Sequence, residues 1–323
     1  MKNVLDHKLT QFIAAIFILL SVYIIIYPPE IDFFRKSAEF AVHLMFGLLV
    51  LSLLLLVFNQ KKLMFISMLA CGFLAFYLKT ASNSNLILPQ INNLPKLKVA
   101  HFNLSSFDAY DPNFKKQILA TESDVISFQE YTPDWQSYIG TQLDEIYPYR
   151  YTMVRIDLFG MAIYSKKEII DVQVFDYKKI PNLDVTIHTG YQDVHLISSY
   201  IAPPSINSKK LNAKEHLQLI AQRINAIESP TITLGDFNQV YWSTDLNFFR
   251  DQTKLNNSRR NINITTKVPY DHIFYSQLLE CIGFSELKNE EQNHLGIVGT
   301  FQAKSAITNP AILRTIGQVN EIN

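Results

Sequence analysis

Three long apolar stretches near the N-terminus constrain the architecture of this chain most strongly. They run from Gln11 to Tyr27, from Phe40 to Phe58 and from Leu63 to Leu78, and none contains Lys, Arg, Asp or Glu. A helix of about 20 apolar residues is long enough to cross the hydrocarbon core of a bilayer. The alternative is a secretory signal followed by buried helices, but the first run is long for a signal and no small-residue cleavage site is evident. Residues 1–79 are therefore predicted to form a membrane anchor of three transmembrane helices.

The charges that flank these stretches predict an orientation. Lys2 and Lys8 precede the first stretch, and Lys61 and Lys62 separate the second from the third. Basic flanking residues favour the cytoplasmic side of a membrane. We expect an integral, multi-pass protein whose N-terminus lies inside and whose C-terminal domain is extracytoplasmic. Residues 80–95, rich in Asn, Ser and Pro, are predicted to be a linker.

Residues 96–323 alternate short β-rich runs with amphipathic stretches. The runs are rich in Val, Ile, Phe and Tyr and are bounded by turn residues, which is typical of strands. Leu217, Ile220, Ile224 and Ile227 recur at helical spacing and predict a helix over Ala213–Ile227. This alternation favours a layered α/β domain. The predicted strands are Lys98–Asn103, Val125–Glu130, Met161–Ser165, Val172–Phe175, Val194–Ile201, Thr231–Asp236 and His272–Ser276.

Polar residues stand at the ends of several predicted strands. They include Asn103, Glu130, Tyr200, Asp236 and Asn238. Strand ends collect at one edge of a sheet, where functional sites are commonly built. Glu130 closes the apolar-rich run VISFQ, and an unpaired carboxylate is costly to bury. Glu130 therefore needs a partner, and a divalent cation would serve.

Seven short motifs occur in order between Lys96 and Phe301, and together they resemble the endonuclease/exonuclease/phosphatase superfamily of metal-dependent phosphoesterases. The resemblance implies a four-layer α/β sandwich of the DNase I type. It also implies Mg²⁺ (or Mn²⁺) and attack of water on phosphorus. The motifs are HFNL (101–104), VISFQE (125–130), GMAIYSK (160–166), SSYIAPP (198–204), GDFN (235–238), YDHIFYS (270–276) and NHLGIV (293–298).

The resemblance also implies roles for individual residues. Glu130 corresponds to the principal metal ligand, and Asn103 to an amide that helps to place the metal. Asp236 corresponds to the group that orients or deprotonates the attacking water, and Asn238 would donate its amide to a phosphoryl oxygen. Because residues two apart in a strand share a face, we expect Asp236 and Asn238 to lie side by side. A strand-end Asx turn is the alternative interpretation of this pair.

A histidine and a carboxylate complete the implied catalytic set. His294, expected in a late loop, corresponds to the terminal histidine of the family, and Asp271 corresponds to its orienting carboxylate. A carboxylate that holds an imidazole fixes its tautomer and stabilises the imidazolium. His272 is expected to be structural, because strand alternation turns it away from Asp271.

Two positions depart from the pattern of the family. Tyr200 stands where much of the family has a histidine, although the branch of abasic-site endonucleases has tyrosine there. Tyr200 could donate a hydrogen bond to phosphate or simply pack as an aromatic residue. Asn293 stands where the family usually has an aspartate that can help to hold metal. The substitution is expected to weaken metal binding without abolishing catalysis.

The substrate follows less directly from the sequence. The whole chain has 29 basic and 29 acidic residues, so no excess of positive charge indicates a nucleic-acid partner. The pairs Lys209–Lys210 and Arg259–Arg260 are interpreted as solvated surface. A phospholipid-like phosphoester suits a membrane-tethered enzyme better, and a nuclease is the alternative. A catalytically degenerate module that only binds a phosphate ligand is a further alternative, motivated by Asn293.

Overall fold

The computed structural model describes residues 7–29, 34, 36–82, 89, 91–107, 113–203, 211–259, 270–289 and 293–304. The N-terminal part forms the helices α1 (Lys8–Ile26), α2 (Ala41–Val57) and α3 (Lys61–Ala81), and a 3-10 turn over Ser37–Phe40 precedes α2. All three are long and apolar enough to cross a membrane. Helices α2 and α3 pack along each other, and Ser67 donates to Leu48 O across that contact at 2.8 Å.

Two six-stranded mixed sheets make up most of the remaining chain. In spatial order, the first sheet contains β11 (Leu279–Lys288), β12 (His294–Ala303), β1 (Lys96–Asn103), β2 (Val125–Gln129), β4 (Met161–Ser165) and β3 (Tyr149–Met153). The second contains β5 (Glu168–Tyr177), β6 (Ile180–His188), β7 (Asp193–Ser199), β8 (Thr231–Asp236), β10 (Asp271–Tyr275) and β9 (Asn256–Asn257). The pairs β1–β2 and β7–β8 are parallel, and the other paired strands are antiparallel.

The alternation of side chains along each strand builds a four-layer sandwich. In β1, Val99 points into the core between the two sheets, and the next residue, Ala100, points into the outer core. Helices α4 (Phe114–Leu119) and α5 (Pro133–Leu143) cover the outer face of the first sheet. Helices α6 (Ala213–Asn225) and α7 (Thr244–Thr253) cover the second sheet. The expected four-layer α/β architecture is confirmed.

Local sequence signals explain where several helices begin. Thr132 precedes Pro133 and accepts a hydrogen bond from Trp135 N, which caps α5. The Asn212 side chain accepts from Lys214 N and Glu215 N at the start of α6. Such N-caps satisfy amide groups that have no partner within the helix.

The sequence predicted some of the strands and missed others. Met161–Ser165 and Thr231–Asp236 have the predicted bounds, and the predicted helix Ala213–Ile227 ends two residues early, at Asn225. Tyr149–Met153, Ile180–His188, Leu279–Lys288 and His294–Ala303 were not predicted as strands. The expectation that His294 lies in a loop was wrong, because it begins β12. Cys71 and Cys281 are free.

Candidate functional site

The candidate site lies where the two sheets meet at one edge. Asn103 and Gln129 are partners at the ends of the parallel strands β1 and β2. Asp236 and Asp271 are partners at the end of β8 and the beginning of β10. The Gln129 side chain joins the sheets, because its Nε2 donates to Ser199 O at 2.7 Å and its Oε1 accepts from Asp236 N at 2.9 Å. Gln129 is fully buried, so these two bonds fix the separation of the sheets at the site.

Gly235 leaves room both for the backbone of the neighbouring strand β7 and for the Gln129 side chain from the other sheet. Its φ is +146°, a conformation that side chains with a β-carbon rarely adopt. A β-carbon at Gly235 would lie 1.9 Å from Ser199 O and 2.7 Å from Gln129 Nε2. The glycine of the GDFN motif therefore allows Asp236 to project beside the bridging glutamine.

Asn103, Glu130 and Asp236 form the centre of the candidate site. Asn103 Nδ2 donates to Glu130 Oε1 at 3.1 Å and to Asp236 Oδ2 at 3.2 Å. The Asn103 Oδ1 atom accepts from Ser105 N and Ser105 Oγ, which caps a 3-10 turn over Leu104–Ser106. Glu130 follows β2 directly and has a φ of 59°. Non-glycine residues with positive φ are uncommon, and they cluster at functional sites.

Asp236 and Asn238 are arranged differently from the expected strand geometry. Strand β8 ends at Asp236, and Asn238 lies beyond it with a φ of 49°. Asn238 N donates to Asp236 Oδ1 at 2.8 Å, so the pair forms the Asx turn considered as the alternative. The prediction that both residues share one face of a strand was wrong. Asp236 nevertheless directs its other oxygen, Oδ2, towards Asn103.

His294 is held between two carboxylates. Its Nε2 lies 2.6 Å from Asp271 Oδ2, and its Nδ1 lies 3.0 Å from Glu286 Oε1. Arg259 contacts both residues: its Nη2 donates to the backbone carbonyl of Asp271 at 3.4 Å, and its Nη1 lies 3.9 Å from the Glu286 carboxylate oxygen Oε2. Arg259 is only 2% exposed and stacks its guanidinium over Phe284. The interpretation of Arg259 as solvated surface was wrong, while Arg260, Lys209 and Lys210 lie outside the described residues.

The environments of the two aspartates separate their pKa values. Burial, followed by repulsion from Asp271, raises the pKa of Asp236 to about 7. Burial also opposes ionisation of Asp271, but the hydrogen bond from His294 and the nearby His101 hold the pKa of Asp271 below its ordinary value. Asp236 is therefore suited to accept a proton near neutral pH, whereas Asp271 remains a carboxylate.

The same contacts make His294 a cation over a wide pH range. Burial lowers the pKa of an imidazole, but the hydrogen bonds to Asp271 and Glu286 outweigh it and raise the pKa of His294 to about 9. Because both ring nitrogens contact carboxylates, this imidazolium can stabilise nearby negative charge through its own positive charge.

Two further histidines beside the site are buried and neutral. Burial lowers the pKa of His101 to about 4, and its Nε2 lies 3.8 Å from Asp271 Oδ1. Burial lowers the pKa of His272 to about 3, and its Nε2 contacts Gln239 O at 2.7 Å. The His272 side chain therefore points away from the contact between Asp271 and His294, as the alternation of side chains along the strand predicted.

Tyr200 follows β7 directly and lies beside the acidic centre. Burial, and then the charges of Asp236 and Glu130, raise the pKa of its hydroxyl, so Tyr200 stays protonated. The hydroxyl interacts with the Asn238 side chain. The ring meets Phe159 edge-on, with centroids 5.7 Å apart. Tyr200 therefore both packs as an aromatic residue and presents a donor to the site.

The donor set at the centre is built from oxygen-bearing side chains. Among the described residues, no three His, Cys, Asp or Glu side chains are grouped so that they could hold a metal. Glu130 and Asp236 nevertheless both contact the amide of Asn103, and one or two carboxylates with retained waters suit Mg²⁺. Asn293 directly precedes His294 in the chain. Its backbone N–H donates to Asn289 Oδ1 at 2.8 Å.

Four residues of this network were not predicted as site residues. They are His101, Gln129, Arg259 and Glu286. His101 and Gln129 lie inside the motifs HFNL and VISFQE, so the motifs already contained their signal. No pattern in the sequence pointed to Glu286, because it is brought to His294 only by the pairing of β11 with β12.

Comparison with protein families gives one match. The model described as the Endonuclease/Exonuclease/phosphatase family matches residues 100–292, which is more than half of the chain. A search among curated proteins found no match.

Solved structures with the same fold include proteins from bacteria and vertebrates. The endonuclease/exonuclease/phosphatase from Beutenbergia cavernae DSM 12333 has a TM-score of 0.54 at 17% identity, covering 66% of this chain and 72% of that chain. A humanized D. rerio TDP2 with 14 mutations has a TM-score of 0.52 at 14% identity, covering 64% and 99%. The human Nocturnin catalytic domain with bound sulfate has a TM-score of 0.50 at 15% identity, covering 66% and 97%. These likenesses show the DNase I-like fold.

Proposed function

Because this chain belongs to the endonuclease/exonuclease/phosphatase family, we propose that it is a divalent-metal-dependent phosphoesterase or phosphodiesterase tethered to a membrane. The observation that carries the proposal is the hydrogen-bonded group of Asn103, Glu130 and Asp236 beside the Asp271–His294 pair. Hydrolases of this family generally act on phosphate esters, and this arrangement supplies a base, a cation and acidic oxygen ligands in one place. Residues 96–323 would be the catalytic domain, residues 80–95 the linker and residues 1–79 the anchor.

The metal would be Mg²⁺ or Mn²⁺, held by Glu130 with the amides of Asn103 and Asn293. When bound, it would neutralise charge that develops on the phosphoryl and leaving oxygens. The repulsion among Glu130, Asp236 and Asp271, which contributes to the raised pKa of Asp236, supports this assignment. A divalent cation would relieve that repulsion.

The remaining residues would move protons and stabilise charge. Asp236, whose pKa is raised chiefly by burial, would accept a proton from the attacking water. Asn238 and Tyr200 would donate hydrogen bonds to the phosphoryl oxygens. His294, kept positive by Asp271 and Glu286, would stabilise the same oxygens or the leaving group.

A membrane-derived phosphoester is the substrate that we favour. The three apolar helices support this choice, since they would keep the site near a bilayer. A nuclease is the alternative, but Arg259, the described member of one of the two basic pairs, is buried and paired with Glu286 and so unavailable to a nucleic acid. A module that binds a phosphate ligand without hydrolysing it is the third candidate, favoured by an amide rather than a carboxylate at Asn293.

The test is hydrolysis by the full chain in detergent. Substrates are plasmid DNA, sphingomyelin, phosphoinositides and bis(p-nitrophenyl) phosphate, each with Mg²⁺, Mn²⁺ or EDTA. We expect turnover that requires metal, disappears in Asp236→Asn and persists in the surface control Asp193→Asn. A folded protein that turns over none of these substrates, or that is unaffected by Asp236→Asn, contradicts the proposal.

The orientation has its own test. We expect a reporter fused after Asn323 to be active only outside the cytoplasm. A reporter active only in the cytoplasm would place the domain on the other side of the membrane.

A further inference from the structure

A cavity of about 610 Å³ lies between the ends of the apolar helices and the candidate site. One wall comes from the anchor and includes Tyr27, Pro28 and Lys36. The opposite wall comes from the domain and includes Ile201 and Asn238. Sites for small ligands typically enclose about 300–1,000 Å³. The cavity is therefore large enough for a ligand, and one end of it reaches a residue of the proposed catalytic set.

Direct contacts hold the anchor and the domain together around this cavity. Trp242 Nε1 donates to Ala38 O at 2.7 Å, just before α2. Trp242 O accepts from the Tyr77 hydroxyl of α3, and Thr244 Oγ1 donates to Ile26 O at the end of α1. Trp242 is only 3% exposed. The ends of all three apolar helices on this side thus contact the segment that follows Asn238 in sequence.

Further contacts reinforce this junction. Arg250 Nη1 donates to Ala81 O at 2.6 Å, at the last residue of α3. The Tyr270 side chain hydrogen-bonds Glu39 in the turn before α2, and Tyr270 directly precedes Asp271. The anchor therefore contacts the chain on both sides of the candidate site, next to Asn238 and next to Asp271.

The lining of the cavity has the chemistry of a lipid headgroup site. Pro28, Ile201 and Pro203 supply apolar surface, while Lys36 and Glu39 supply both signs of charge. Since α1 and α2 would cross the bilayer, this level of the molecule would coincide with the headgroup layer, where aromatic and basic residues interact with phosphate.

We propose that the cavity is a binding site for a glycerophospholipid taken from the adjacent leaflet, and that it presents the phosphodiester of the lipid to Asn238. This inference rests on the proposed function, because it names the substrate class of the same site. The anchor is then part of the substrate site as well as a tether. The phosphodiester of such a lipid joins an apolar diacylglycerol to a polar headgroup, which matches the apolar and mixed-charge parts of the lining.

Photo-crosslinking tests the binding step without requiring turnover. The full chain is placed in phosphatidylcholine nanodiscs with a phosphatidylethanolamine probe that carries a photoactivatable group on its headgroup. We expect crosslinks to peptides from both walls, around residues 27–29 and 201–203. Ala202→Trp, which places an indole in the cavity, is expected to reduce these crosslinks at least about 5-fold, because it excludes the headgroup. Ala120→Trp, at an exposed position outside the cavity, is the matched control.

Turnover measured on two substrates completes the test. The ratio of kcat/KM for phosphatidylethanolamine in nanodiscs to kcat/KM for soluble bis(p-nitrophenyl) phosphate is expected to fall about 10-fold in Ala202→Trp, which corresponds to about 1.4 kcal/mol. An equal loss on both substrates, or an unchanged ratio, overturns the lipid site. Crosslinks confined to the flanks of the apolar helices overturn it too, because they report only surrounding lipid. If the probe crosslinks in the cavity while neither substrate is hydrolysed, the lipid site stands and the hydrolase proposal fails.

Discussion

Two clusters of charged side chains, one on the second sheet and one at the edge where the two sheets meet, differ in how their carboxylates are neutralised. Away from the site, Asp184 is 1% exposed and contacts His195 Nδ1 at 2.8 Å and Arg223 Nε at 2.7 Å. Both of its oxygens have a partner. At the sheet edge, Asp236 lies beside the acidic Asp271 and shares the amide of Asn103 with Glu130. Protein side chains thus compensate the charge of Asp184, whereas the acids in the described part of the edge outnumber their cationic partners.

The difference shows what marks a functional carboxylate. In the network described at the edge, four acids face two cationic groups. The acids are Glu130, Asp236, Asp271 and Glu286, and the cationic groups are His294 and Arg259. Burying carboxylates without enough positive charge nearby costs free energy. Such a group is therefore expected where a bound cation supplies the positive charge. We therefore expect the Asp184 cluster to serve stability and the edge cluster to serve a bound cation.

The largest expected effect concerns Glu130. In Glu130→Gln, turnover should fall roughly 1,000-fold, because the neutral amide would not hold the metal that stabilises the transition state. The melting temperature without metal should stay the same or rise, since the change relieves repulsion with Asp236. Phosphoesterase assays and thermal melts of the full chain in detergent measure both. A variant that unfolds while its remaining folded fraction turns over normally would place Glu130 with the structural carboxylates.

Substitution of Asp184 should lower stability and leave turnover largely unchanged, the opposite of Glu130→Gln. Asp184→Asn should destabilise the protein by about 3 kcal/mol, because it leaves the partly buried Arg223 without its counter-charge. Turnover by the folded protein should stay within about 2-fold, since the cluster lies away from the edge. The matched control is Asp193→Asn, which removes the acid of an exposed pair with His188 and should cost at most about 1 kcal/mol. Equal losses of unfolding free energy in Asp184→Asn and Asp193→Asn would contradict the stabilising role of the Asp184 cluster.

His216 tests a buried side chain that stays neutral in the folded protein. Burial lowers its pKa to about 3, and its Nε2 lies 2.9 Å from Asn182 Oδ1. The unfolded chain binds a proton below about pH 6.5, whereas the folded chain resists it down to about pH 3. Stability should therefore be intact above pH 6.5 and fall by about 1.4 kcal/mol per pH unit below it for this one group. His216→Gln should make the acid-induced loss shallower in thermal melts between pH 7 and 4.5, and an unchanged slope would contradict this.

Tyr200 should give the smallest of these effects. Tyr200→Phe retains the packing against Phe159 but removes the donor, so turnover should fall about 10-fold, or about 1.4 kcal/mol. Metal-dependent changes in melting temperature should remain as in the unchanged protein. Steady-state kinetics beside melts with and without Mg²⁺ measure this. Unaltered kinetics would leave Tyr200 a packing residue only.

The sequence predicted the layered fold because buried strands and amphipathic helices carry a local signal. Met161–Ser165 could be found from its own composition, whereas Ile180–His188 could not, since Pro181 and Asp184 interrupt its pattern. Asp184 is tolerated there because His195 of β7 and Arg223 of α6 contact its two oxygens. Such compensation comes from another part of the chain, and a local pattern does not reveal it.

The candidate site was predictable to the extent that it lies in motifs. Glu130, Asp236 and His294 were named from the sequence, but Glu286 was not, because only strand pairing brings it to His294. Arg259 was misjudged for the same reason: its burial depends on Tyr241 and Phe284, which are distant in sequence. The contact between Trp242 and the anchor was likewise beyond any local pattern.

Binding of Mg²⁺ or Mn²⁺ measured by calorimetry and by thermal melts tests the central claim most directly, because neither requires a substrate. The account predicts that the full chain in detergent binds the metal and melts at a higher temperature in its presence, since a ligand of the folded state stabilises it. Asp184→Asn should retain that increment, and Glu130→Gln should lose it. Absence of metal binding by the unchanged protein, or undiminished binding by Glu130→Gln, would contradict the account.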